Sequence, residues 1–370
     1  MSLRFKVLPL RWLTNFSFFL GTFASPRPPK PSKTIRIPRV SSSSDDQNDN
    51  GKSQTTKNDQ LILQVYYPAS YQPQTQFKKR KSPSLRPVVV NFHGSGFMLG
   101  SATDDARWAR SVTEYVDAVV VSVEYRLAPE NPFPAALNDG VDALLWIIHH
   151  SEELGVDPHK IALSGFSAGG SLAFAVPIKL GEEMQRRRNI LEGGNRQQQN
   201  PLTSKEEPSL YVDPAYRIQF IAAWYPSVDY SLTRPQRRAT NARQDKNLPA
   251  WFTDLVDTSF LLGVAEEDRK LPWLSPALAP AEMLRKYIPH NVEFRLCEWD
   301  ELRAEAERFS ERLASDEVGR KGIGMKVIEG TTHGWDKHPR LKWDQGIEHL
   351  YKEICTEMQK TFAIHDQATM

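Results

Sequence analysis

The 370-residue chain sets 47 Lys and Arg against 45 Asp and Glu, and a formal net charge of +2 gives no electrostatic footing for binding nucleic acid. Apolar residues make up 40% of the chain, enough for a core, while the mean hydropathy of −0.50 points to polar tails and inserts around one catalytic domain. Cys297 and Cys355 have no metal-ligand spacing and form no disulfide framework, so they read as small buried hydrophobes.

Residues 1–33 read as a basic N-terminal segment ahead of a catalytic domain at 34–361. Residues 1–44 contain eight Lys or Arg and no Asp or Glu. Arg4, Lys6 and Arg11 precede the apolar stretch from Trp12 to Phe23, and Thr22-Phe23-Ala24 has the small-x-small form of a cleavage site. The same composition suits a transit peptide, a disordered basic tail or association with a membrane surface. A spanning helix is not expected, because about 18 to 20 apolar residues would be needed. The compartment stays open, with an intracellular one preferred, and oligomeric state is not legible. Pro26 to Pro31 should be extended, and residues 41–59 form a polar, low-complexity loop. Around that loop, Thr34 to Ile37 and Leu61 to Tyr67 predict strands that would open the sheet as an edge hairpin.

From residue 87 the pattern becomes apolar runs alternating with helical periods. Pro87 to Phe92 and Ala118 to Val123 are near-continuous Val-rich runs, as expected of parallel strands covered on both faces. Asp104 to Val116 predicts the helix between them; Leu137, Val141, Leu144, Leu145 and Ile148 predict the next. Ile161 to Ser164 is a short buried strand, followed by a helix from Ser171. Strand and helix in strict alternation is the order of a doubly wound sheet. Residues 184–210 read as a polar insert, Ile218 to Trp224 as a strand, and 230–268 as a lid or cap candidate. Val292 to Cys297 and Gly324 to Glu329 are the last strands, separated by a helix marked by Leu302, Ala306, Phe309 and Leu313. Ile347 to Met358 is the closing helix, and 362–370 a loose tail.

The chemistry centres on Gly165-Phe166-Ser167-Ala168-Gly169-Gly170. A serine between glycines, at the change from buried strand to helix, fits a sharp turn that lifts a hydroxyl above the sheet. Ser167 is the candidate nucleophile, and it needs a base. Of nine histidines, His333 alone directly follows a predicted strand on the C-terminal side of Ser167. His93 also follows a strand, but its Gly-Ser-Gly sequel suggests another role. Asp300 is the favoured orienting acid, with Glu298, Glu301, Glu305 and Asp229 in competition and a simple N-cap role open to it. The run from Asn91 to Phe97 could bring backbone N–H groups to a substrate oxygen, with the N–H of Ala168 as a second arm.

These residues resemble the hormone-sensitive-lipase-like esterases of the α/β-hydrolase fold. The likeness rests on His93-Gly94-Ser95-Gly96-Phe97, Glu124-Tyr125-Arg126-Leu127-Ala128-Pro129-Glu130, the serine turn, Asp300-Glu301-Leu302-Arg303-Ala304-Glu305 and His333-Gly334-Trp335. The resemblance implies a mostly parallel eight-stranded sheet, a helical cap supplied in part by the N-terminal region, and hydrolysis of small-molecule carboxylic esters with no cofactor and no metal. It implies Ser167 as nucleophile, His333 as base, Asp300 as acid, an oxyanion hole at Ser95, Gly96 and Ala168, and bracing roles for Glu130 and Asp139. The family has glycine where Ser95 stands and commonly an acidic residue where Ala304 stands. An amidase, a lactonase or a deacetylase would use the same triad, and a non-catalytic ligand receptor is the rival from another class.

Overall fold

The Val-rich runs become central strands because both of their faces can be buried. In a computed structural model describing residues 3–39, 60–71, 85–193, 215–338, 340 and 342–368, the chain opens with helix α1 (Leu3–Gly21) and the strands β1 (Lys33–Pro38) and β2 (Gln60–Tyr66). Then come β3 (Arg86–Phe92), α2 (Ala106–Tyr115), β4 (Val119–Glu124), α3 (Ala135–His149), the short α4 (Ser151–Leu154), β5 (Val156–Phe166) and α5 (Ala168–Gly193). The second half holds β6 (Ile218–Trp224), α6 (Arg234–Ala239), α7 (Ala250–Phe260), α8 (Ala281–Tyr287), β7 (Asn291–Trp299), α9 (Arg303–Ala314), β8 (Gly322–Thr332) and α10 (Gln345–Ala368). The eight strands form one sheet in the order β1-β2-β4-β3-β5-β6-β7-β8. Pairing is antiparallel from β1 through β2 to β4 and parallel across the rest. The expected edge hairpin and mostly parallel doubly wound sheet are both present.

Successive residues of a strand point to opposite faces, so each valine run feeds two cores. Val88, Val90 and Phe92 pack with Leu144 of α3, Phe174 of α5 and Phe309 of α9. Val89, between them, packs on the other face with Trp108 of α2 and Ile354 and Met358 of α10. All of these are buried, each contributing on the order of 1.5–3 kcal/mol of transfer free energy. Cys297 and Cys355 are free and buried, and burial pushes both thiols above their ordinary range.

Several boundaries move. The polar insert at 184–210 begins as helix: α5 continues through Gly193, since an exposed helix end needs no apolar stripe. The rest of that insert, like the loop at 41–59, lies outside the described residues. The tail at 362–370 is helical as far as Ala368, held by a buried Phe362.

The largest change concerns segment 1–33, whose residues 3–21 are a docked helix rather than a disordered tail. Val7 is fully buried. Arg11 reaches across the fold, with Nε donating to the Met98 carbonyl at 2.9 Å, Nη2 to the Ala128 carbonyl at 2.7 Å and Nη2 to Glu130 at 2.6 Å. The chain after α1 is also strapped down, since Trp343 N donates to the Ser25 carbonyl and Arg107 to that of Pro26.

The 230–268 stretch folds as α6 and α7. Three arginines of α6 tie it to the turn and helix after β7: Arg234 and Arg238 pair with Glu301, and Arg237 with Glu305. The last pair is 3.0 Å apart, with side chains 1% and 2% exposed. Breaking such a buried pair typically costs about 3–5 kcal/mol, so it fixes where α6 sits.

Candidate active site

The site is built on the C-terminal ends of β3, β5, β7 and β8, where an open parallel sheet leaves its crevice. At the end of β5 the chain turns from strand to helix within one residue, and Ser167 takes up the left-handed conformation at φ 53°. Only glycines allow that turn. A Cβ on Gly165 would stand 2.1 Å from the Gly169 carbonyl oxygen, and one on Gly169 would stand 1.9 Å from that of Phe92. Neither contact can relax without moving backbone, so Gly169→Ala should lower stability by about 3 kcal/mol or more. A denaturation midpoint equal to that of the parent would contradict this packing.

The turn aims Ser167 at the loop after β8. Ser167 Oγ lies 2.8 Å from His333 Nε2, and His333 Nδ1 lies 2.7 Å from Asp300 Oδ2, in the turn after β7. The other Asp300 oxygen accepts from Leu302 N at 3.0 Å, so the carboxylate is held at both ends. Burial alone would push the His333 pKa down. The charge and hydrogen bond of Asp300, with Glu301 adding and Arg234 opposing, outweigh it and raise His333 above the ordinary imidazole value.

The competing carboxylates are occupied elsewhere. Glu298 accepts from Gly330 N, Glu301 pairs with Arg234 and Arg238, Glu305 takes Val228 N and Arg237, and Asp229 takes Ser231 N and Oγ. Asp300 thus meets His333 with one oxygen and caps the turn that leads into α9 with the other.

The loop after β3 contains three consecutive left-handed residues, Ser95 (φ 82°), Gly96 (φ 65°) and Phe97 (φ 60°). Among the described residues, no backbone carbonyl accepts from the N–H of Ser95, Gly96 or Ala168. A side chain is accommodated at Ser95, with its hydroxyl over Gly100, where a Cβ would come within 3.3 Å of it. The accommodation costs the strain of a left-handed non-glycine, on the order of 1–2 kcal/mol. A Cβ on Gly96 would strike Val256 of α7 at 2.8 Å, and Phe97 stacks on Phe260 of the same helix with centroids 3.8 Å apart. The lid candidate therefore packs directly on this loop. His93 braces it from beneath: it is buried, stacked on Tyr125, and lowered in pKa by that burial. Glu130 and Asp139 likewise brace loops, Glu130 through Arg11 and Asp139 through Arg126 and Arg39.

A buried polar chain that sequence reading missed runs under the serine turn. Trp108 Nε1 donates to Ser164 Oγ, Ser164 to Asn91, and Asn91 to Asp105, which pairs with Lys337 at 2.7 Å. Lys337 also pairs with Asp336 and sits over the Phe166 ring, 3.3 Å from its centroid, next to Ser167. The network links the ends of β3 and β5 to the loop after β8 through residues with no common spacing. A cavity of about 560 Å³ opens between the segment around Phe19 to Lys30, the turn before α2 and the stretch from Asp336 to Trp343. Among the described residues, no group of three or more His, Cys, Asp or Glu could hold a metal ion.

Comparison with known proteins places this geometry among relatives. A family profile described as the alpha/beta hydrolase fold matches residues 89–337. Esterase LipI of Mycobacterium tuberculosis is 38% identical over 251 residues, covering 67% of this chain and 65% of that protein. Human hormone-sensitive lipase is 36% identical over 102 residues, covering 28% of this chain and 10% of the lipase. This chain thus spans less than two thirds of the length of either curated relative. Among solved structures, the hyperthermophilic esterase from Pyrobaculum calidifontis superposes with a TM-score of 0.67 at 24% identity, over 96% of this chain and 91% of that one, a likeness of fold.

Proposed function

Since this chain belongs to the α/β-hydrolase family, in its hormone-sensitive-lipase-like branch, we propose that it is a serine carboxylesterase acting on small-molecule acyl esters through Ser167, His333 and Asp300. The observation that carries this reading is the continuous relay from Ser167 Oγ to His333 to Asp300, at 2.8 and 2.7 Å. A hydroxyl that close to a neutral imidazole nitrogen can lose its proton as it attacks, and the buried carboxylate holds the ring and stabilises the imidazolium that forms.

In the first half-reaction Ser167 Oγ bonds to the ester carbonyl carbon while its proton passes to His333 Nε2. The negative charge on the carbonyl oxygen is taken by the N–H groups of Ser95, Gly96 and Ala168. Collapse breaks the acyl–oxygen bond, and the alcohol leaves with the proton from His333. Water then gives its proton to His333 and its oxygen to the acyl carbon, and Ser167 Oγ recovers the proton as the acid departs.

A fluorophosphonate probe provides the test. The expected result is one covalent adduct, located on Ser167 by peptide mass mapping, with ester turnover lost in step with labelling. Absence of the adduct with full retention of fold would instead support a non-catalytic ligand receptor. Esters graded by acyl length, run beside matching amides, would then separate an esterase from an amidase.

A further inference from the structure

The inner face of α1 is spent on the fold through Leu3, Val7, Leu10 and Arg11. Its outer face is apolar and open: Phe5, Trp12, Phe16 and Phe19 are 62%, 67%, 47% and 54% exposed, in one stripe at helical spacing that Leu8 continues. Single exposed hydrophobes are ordinary, but a row of aromatics along one helix face marks a surface that something covers. Around it Arg4, Lys6, Arg27 and Lys30 are exposed, and residues 1–44 hold no Asp or Glu.

The geometry points to α1 as an interfacial anchor that lays this face into an anionic lipid surface. Aromatic and aliphatic side chains on one face with cations at the flanks and no acids are what such a surface recognises. No described helix is long and apolar enough to cross a membrane, so the helix lies on the bilayer rather than through it. A second copy of the chain suits the face less well, since pairing α1 with itself would bring acid-free cationic segments together. Phe19 and Phe23 also line the 560 Å³ cavity, so docking would set the cavity mouth at the lipid interface. The docking stands apart from the esterase reading, because it rests on the outer face alone.

The test is flotation of the full chain with vesicles of phosphatidylcholine alone and of phosphatidylcholine with phosphatidylglycerol, at low and high ionic strength. The protein should float with the anionic vesicles and be released by salt. The triple variant Trp12→Ser/Phe16→Ser/Phe19→Ser should float at least about tenfold less with an unchanged melting curve, and Arg4→Gln/Lys6→Gln should lose the preference for anionic lipid. Failure to float, or equal flotation by the triple variant, would overturn the proposal. So would a dimer in light scattering that the triple variant dissolves, which would assign the face to a second copy.

Discussion

Ser167→Ala should reduce ester turnover by roughly four to six orders of magnitude while leaving the fold in place. The substitution removes one oxygen and nothing that shapes the turn. Ser167 is held at φ 53° by the close packing of Gly165 and Gly169, which alanine leaves intact. What is lost is the 2.8 Å contact with His333 Nε2, a partly buried hydrogen bond contributing about 1 kcal/mol to stability. Thermal unfolding should therefore shift little while the acyl-enzyme burst vanishes. Neighbouring serines cannot substitute. Ser164 Oγ is buried between Trp108 and Asn91, and Ser171 Oγ donates to the Ser227 carbonyl. Ser171→Ala should stay within a few-fold of the parent. Turnover by Ser167→Ala within tenfold of the parent would remove Ser167 from the mechanism.

The fold and the core of this site were legible because they rest on local rules. Uninterrupted valine runs favour strands buried on both faces, and Gly165 and Gly169 around Ser167 suit a turn in which backbone touches backbone. The position of His333 just after β8 followed from the topology, which gathers loop residues at one sheet edge. The choice among five carboxylates was legible only in part: the sequence favoured Asp300 without separating it from its neighbours, because Asp300, Glu301 and Glu305 lie within six residues and differ only in which way the backbone aims them. The arginines of α6 decide it, taking up Glu301 and Glu305 from more than sixty positions away in the chain. The same limit hid the network from Trp108 to Lys337 and the docking of α1. Val7 and Arg11 tie that helix to the fold, and its many exposed aromatics blur the period that would have revealed a buried face.

Asp300→Asn should lower kcat/KM by about 10⁴-fold and move the acid limb of the pH profile to lower pH. His333 must be neutral to accept the proton of Ser167, so activity falls as pH drops through its pKa. In the parent that pKa is raised, because Asp300 outweighs the effect of burial, and the limb should lie above the unperturbed value of about 6.5. Replacing the carboxylate by an amide removes the charge and leaves burial as the dominant influence, which favours the neutral ring and carries the limb downward. Extra neutral imidazole does not help, because the proton is then on the wrong nitrogen. Leu302 N donates to Oδ1 of residue 300, which selects the amide carbonyl for that position and turns the amide NH₂ towards His333 Nδ1. A donor facing Nδ1 forces the ring proton onto Nε2, against the Ser167 hydroxyl that Nε2 has to deprotonate. The variant should therefore combine a lowered acid limb with a lowered plateau, whereas Asp300→Ala, free of the misplaced donor, should lower the limb with a plateau no worse. An unmoved limb in both variants would show that Asp300 only caps the turn into α9 and that another charge sets His333.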